Sequence, residues 1–121
     1  MKEKILQALT TAGIAAHDAD ALPETMAYPC VVVWDAGVRA LGKTTGMREI
    51  RASVWARESV QAMALAAKVR TAVRPLNALR EIESEDEGHW DSAMEAVCYE
   101  MRFRMLCGRR ERRICNGGYK P

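Results

Sequence analysis

The sequence predicts an α+β domain, a mainly antiparallel sheet of four to five strands with two helices packed on one face. Three observations carry this expectation. Residues 2 to 12 and 59 to 74 have apolar positions at helical spacing, whereas residues 48 to 57 and 97 to 107 alternate apolar and polar side chains as strands do. The chain of 121 residues, 49% hydrophobic and 28% charged, has the balance of one soluble globular domain. A collagen-like, coiled-coil or disulfide-scaffold architecture is excluded by the same figures.

In residues 2 to 12, Ile5, Leu9 and Ala12 share one stripe with Leu6 beside it, and Gly13 stands where a helix stops. Residues 14 to 26 read as polar and irregular, and Pro23 and Pro29 bracket a loop. Cys30-Val31-Val32-Val33-Trp34 is an unbroken β-branched and aromatic run, as expected of an interior strand covered on both faces. The glycines and polar residues of 37 to 46 then read as a mobile loop. Beyond it Ile50, Ala52, Val54 and Ala56 point one way, and Glu49, Arg51, Ser53, Trp55 and Arg57 the other. The two strands form an antiparallel hairpin with a long tip.

Ser59 is a suitable N-cap for a helix running to Arg74, where Pro75 ends it, with a stripe of Ala62, Leu65, Ala66, Val69, Ala72 and Val73. A weak strand over 79 to 84 and a turn around Glu87-Gly88-His89 follow. The last strand is the clearest, with Val97, Tyr99, Met101, Phe103, Met105 and Cys107 on one face and Glu100, Arg102 and Arg104 on the other. Residues 1 to 108 thus make one domain, and residues 109 to 121 are expected to be a flexible basic tail.

The net charge of +2 hides three unlike segments. Residues 1 to 80 carry +4, residues 81 to 100 carry −8 with no base among them, and residues 101 to 121 carry +6. An acidic block followed at once by a basic one gives the molecule a directional field.

No apolar run approaches the roughly 20 residues that cross a bilayer, and the N-terminus lacks the pattern of a secretory signal. The chain is expected in the cytoplasm. Cys30, Cys98, Cys107 and Cys115 form no Cys-x-x-Cys pair, and His17 and His89 stand alone. No metal and no cofactor are expected.

Gly42-Lys43-Thr44, with Gly37 upstream, resembles the end of a phosphate-binding loop. That chemistry needs a helix to begin at the lysine, and a strand follows instead. Glu83, Glu85, Asp86, Glu87 and Asp91 form a dense run of similar solvated carboxylates rather than the separated environments of an acid/base pair. No nucleophile, base and acid stand at catalytic spacing, so an enzyme is not expected. The six arginines between Arg102 and Arg113 allow nonspecific phosphate binding without a recognised reading motif.

The short first helix, Tyr28-Pro29-Cys30-Val31-Val32-Val33 at the strand entry, Val54-Trp55-Ala56, the helix core Ala64-Leu65-Ala66-Ala67-Lys68-Val69-Arg70 and the strand from Tyr99 to Met105 follow one another in a familiar order. Over residues 1 to about 107 this layout resembles the tail terminator, or tail completion, proteins of long-tailed bacteriophages and prophages. The resemblance implies a structural virion protein, assembled in the bacterial host cytoplasm. Such a protein forms a hexameric homo-oligomeric ring that caps the tail tube protein, ends its polymerisation and receives the head connector proteins. It implies no cofactor and no catalytic residue.

A ring needs one patch to meet a different patch on the neighbouring copy. The candidate complements are the acidic turn Glu83 to Asp91 and the basic edge Arg102 to Arg113, and the candidate positions at a subunit or tail-tube interface are Arg48, Arg51, Arg57, Glu83, Glu85, Asp86, Glu87, Arg102 and Arg104. Trp55, an aromatic on a polar face, is either an interface anchor or is covered within the monomer. Gly42, Lys43, Thr44 and Thr45 form either a docking loop or an exposed hairpin tip. A head-to-tail connector or neck protein, and a small nucleic-acid-binding accessory protein, are the alternative readings.

Overall fold

A computed structural model describes residues 1–82, 84, 85 and 87–108. Helix α1 (Lys2–Thr11) buries Ile5 and Leu9 completely, as its stripe requires. It ends at Gly13, whose φ of +79° lets its own N–H reach the Thr10 carbonyl at 3.0 Å and the Ile14 N–H reach that of Leu9 at 2.9 Å. Ile14 is thereby folded back onto the core.

Residues 14 to 26, read above as irregular, contain strand β1 (Ala16–Asp18) and one 3-10 turn (Ala19–Ala21). β1 runs parallel to β2 (Cys30–Ala40), with Ala16 opposite Val31 and Asp18 opposite Val33. The Lys2 ammonium, 3.0 Å from the Asp18 carboxylate, ties α1 to the end of β1.

The mobile loop expected over 37 to 46 is instead a nearly continuous hairpin. β2 extends to Ala40 and β3 (Thr45–Ala56) begins at Thr45, leaving Leu41 to Thr44 as the turn. Asp35-Ala36-Gly37 does not stop β2, because a β-bulge between Asp35 and Gly37 absorbs one residue. The Asp35 carboxylate holds the bulge by accepting from the Gly37 N–H at 2.8 Å. Since Gly37 lies in β2 and a strand follows Thr44, no helix N-terminus stands behind Lys43.

Helix α2 (Ser59–Val73) starts one residue earlier than expected, with Ser59 inside it and Glu58 at the N-cap, where no side-chain cap bond forms. After it come β4 (Arg80–Glu81), β5 (His89–Asp91) and β6 (Ala96–Gly108). Of the turn expected at 87 to 89, Glu87 is a bend, His89 already opens β5, and the turn into β6 is made by residues 92 to 95. Past β4 the chain keeps following β6, through the Ile82 N–H to the Arg102 carbonyl at 2.9 Å and the Glu85 N–H to the Glu100 carbonyl at 3.3 Å.

The result is an α+β fold with a mixed six-stranded sheet in the order β1-β2-β3-β6-β4, β5 also lying on β6. All pairs but β1 with β2 are antiparallel, and both helices cover the same face. The core sits beneath them, with Val31, Val33, Ile50, Ala52, Val54, Tyr99, Met101 and Phe103 from the sheet. Ala62, Ala66, Val69 and Val73 are the buried positions of α2, and the alanines bring its backbone close to the strands. Each large buried side chain, Ile50 or Met101 for instance, contributes about 2 kcal/mol through apolar area removed from water. Among the described residues no helix is long and apolar enough to cross a membrane.

Candidate interaction surface

The sheet face away from the helices carries the unusual chemistry. Near its Trp55 end it is covered by the chain before β2, with Tyr28 and Trp55 rings 6.5 Å apart at 31°. The Tyr28 hydroxyl donates to the Met94 carbonyl at 3.2 Å, and the Arg57 guanidinium sits 5.4 Å from the centre of the Tyr28 ring. Trp55 and Arg57 therefore already have partners within the monomer.

Toward the β2–β3 turn the same face opens into a groove of about 730 Å³. Strand alternation puts Glu49 and Arg51 of β3 on this face, and the β3–β6 register sets Arg51 opposite Arg102 and Glu49 opposite Arg104. Arg39 of β2, Met47 of β3 and Ile82 after β4 complete the lining with the backbone of the bulge. Two arginines directly opposite one another repel, and Glu49 resolves the clash. Its carboxylate accepts from Arg51 Nε at 2.6 Å and from Arg102 Nη2 at 2.8 Å. The Arg102 contact, helped by Arg51, holds the Glu49 carboxyl below its ordinary pKa against the opposing effect of burial. Among the described residues Arg39 and Arg104 are exposed and have no acidic partner.

The rim acid Glu81 turns to the other face. It accepts from Arg70 of α2 at 2.8 and 2.9 Å, and Arg70 also donates to the Tyr99 hydroxyl at 2.8 Å. The groove itself is therefore basic.

The structure brings Arg51, Arg102 and Arg104 together. Arg48 belongs elsewhere: in register with Met105 and in step with Ile50, it lies on the helix side, is 7% exposed and pairs with the Asp35 carboxylate. It is no surface residue. Glu85 lies 3.4 Å from His89 Nε2, and Glu87 is exposed. Glu85 lies beside Glu100, two residues from Arg102, and Glu87 comes just before β5 near the start of β6. Glu83, Asp86 and the tail arginines from Arg109 onward lie outside the described residues. Gly42, Lys43 and Thr44 form the hairpin turn, with Thr45 opening β3.

Sequence reasoning missed Arg39 and the bridging role of Glu49. Arg39 was hidden because the bulge resets the alternation of β2, so counting by twos from Val33 gives the wrong phase. The signal for Glu49 was present: an acid two residues before an arginine on one strand face is placed to pair with it.

Comparisons give the fold a relative. No protein-family model and no curated protein matches this chain. Among solved structures, a chain from the virion of a native gene transfer agent particle matches with a TM-score of 0.62 and 16% identity, over 88% of this chain and 90% of that one. At that identity the likeness is one of fold, and it extends over nearly the whole of both chains.

Proposed function

We propose that this protein is a structural component of a phage-like virion that works by assembly rather than catalysis, and specifically a tail terminator. In this role copies of the chain close into a ring, hexameric in the family it resembles, on the finished tail tube. The ring ends polymerisation of the tube protein and offers a surface to the head connector. Assembly takes place in the bacterial host cytoplasm and the product resides in the virion.

The observation that carries the reading is the fold shared with a gene transfer agent virion chain over 88% of this protein. The charge distribution supports it. A basic groove beside Arg102 and Arg104 and the exposed acids Glu87 and Glu95 toward the start of β6 are unlike and complementary, as head-to-tail contacts in a ring require.

Electron microscopy of particles made with and without this chain tests it. Overlong, variable tails in its absence are the expected outcome. Tails of normal length that fail to join heads would favour a connector role instead.

A further inference from the structure

We propose that the groove is a receptor for the acidic segment of a second copy of this chain, and that Glu49 holds the receptor's place until that copy arrives. The proposal rests on the assembly reading and names the surfaces that meet.

The groove calls for an anion. Arg39 and Arg104 open into it without an acidic partner among the described residues, and Glu81 at its rim is engaged by Arg70. Guanidinium forks match carboxylates two bonds at a time, and the site already displays that geometry in the Glu49 contacts with Arg51 and Arg102. Met47 and Ile82 give the methylene stems of an incoming acidic side chain an apolar surface. Among the described residues no aromatic side chain lines the groove, and these offer no stacking platform for nucleic-acid bases.

The chain carries its own complement. Residues 81 to 100 hold eight acids and no base, and Glu87 and Glu95 are exposed. Glu95 precedes β6 directly, while Arg104 lies eight residues along the strand from Ala96, a separation of about 26 Å at strand rise. Glu95 therefore cannot reach Arg104 of its own chain, although the start of the acidic segment, Glu81 and Ile82, borders the groove. Glu95 can reach a neighbour's, and because the two patches differ the contact repeats head to tail.

Glu49 then has a definite task. In the free chain it keeps the facing Arg51 and Arg102 oriented and offsets one of their two charges, and on docking it competes with the incoming carboxylates for the same donors. Removing its charge with little change of shape should strengthen the contact. A purely structural Glu49 predicts the reverse.

The test uses the full chain, a fluorescent synthetic peptide of residues 84 to 96, the same peptide with every Glu and Asp replaced by Gln and Asn, and a mixed-sequence DNA oligonucleotide. The acidic peptide is expected to bind the wild type, several-fold more tightly to Glu49→Gln, and about tenfold more weakly to the Arg39→Glu/Arg104→Glu double variant. Arg39 and Arg104 are exposed, so melting of that variant should match the wild type. In sedimentation, that variant and Glu87→Lys/Glu95→Lys should each stay monomeric alone and form a heterodimer when mixed, since each keeps one intact patch. Equal binding of the amide peptide, weaker binding by Glu49→Gln, or displacement of the peptide by the oligonucleotide overturns the proposal. Rings that still form from each charge-reversed variant alone overturn the groove while the assembly reading stands; a wild type that never self-associates, even where the peptide binds, overturns the second copy as occupant.

Discussion

Arg70 of α2 grips Glu81 of β4 with two hydrogen bonds, Nε to Oε1 at 2.8 Å and Nη2 to Oε2 at 2.9 Å. The pair fastens a helix to an edge strand of only two residues, in addition to the pairing of that strand with β6. Ser84 adds its hydroxyl to the Glu81 carboxylate at 2.6 Å, and Tyr99 receives the third Arg70 bond from within the core.

Replacing Glu81 by Gln should lower stability by about 1 kcal/mol, the modest worth of a forked ion pair that is still partly exposed. The pair also sets an acid limit. The Arg70 guanidinium, more than the Ser84 hydroxyl, holds the Glu81 carboxyl below its ordinary value against the cost of burial. A carboxyl depressed by folding stabilises fully above its unfolded pKa, and that stabilisation is lost as pH falls through the folded pKa. Thermal melts should therefore fall off below about pH 4 in the wild type, and less steeply in Glu81→Gln. Equal slopes in the two proteins would show that the pair does not set the limit.

Gly13→Ala isolates a purely conformational cost. A Cβ there meets nothing within 4 Å, but the φ of +79° belongs to the left-handed region. The loss should be about 1 kcal/mol by denaturant titration, with Gly13→Asn recovering part of it because asparagine tolerates that region.

Gly88→Ala tests space rather than φ. A Cβ at residue 88 would stand 2.5 Å from Cγ1 of Val97, a β-branched side chain in β6 that has few rotamers in which to yield. Overpacking should destabilise the protein by about 1–3 kcal/mol. Adding Val97→Ala should recover part of that loss, so a double variant no better than the sum of the singles would place the strain elsewhere.

How far the sequence discloses this fold depends on whether side chains or backbone make each element. β6 is plain from its alternation, since its inward positions 97, 99, 101, 103 and 107 are buried. Ala16-His17-Asp18 has no such pattern. It becomes a strand because its backbone pairs with Val31 to Val33, which no local signal reports. The bulge at Ala36 hides the second half of β2 behind turn-like residues. Arg48 misleads in the opposite way, because its charge argues for the surface while its position in step with Ile50 puts it inside, with Asp35 as counter-ion. Of the groove, Arg51, Arg102 and Arg104 were legible as a basic face; its concavity was not, because that depends on the bulge and on the chain after β4.

The thiols give a last prediction, and it separates chemistry from access. Burial pushes the Cys98 thiol up to about 11 despite the Ser53 contact that pulls the other way, although the residue is only half-buried. Only about one part in a thousand is then thiolate at pH 8, and the thiolate is the form that alkylates. Burial raises the Cys30 thiol too, and that side chain is fully enclosed. In a Cys115→Ser variant, which removes the fourth thiol, native protein should react negligibly with iodoacetamide at pH 8, while unfolding in guanidinium should expose all three remaining cysteines. Raising the pH toward 10.5 without unfolding should speed modification at Cys98 before Cys30, because Cys98 is limited by ionisation and Cys30 by enclosure. Mass spectrometry of the labelled peptides reads the order directly, and rapid labelling of Cys98 at pH 8 would mean that its thiol is not held in the protonated form.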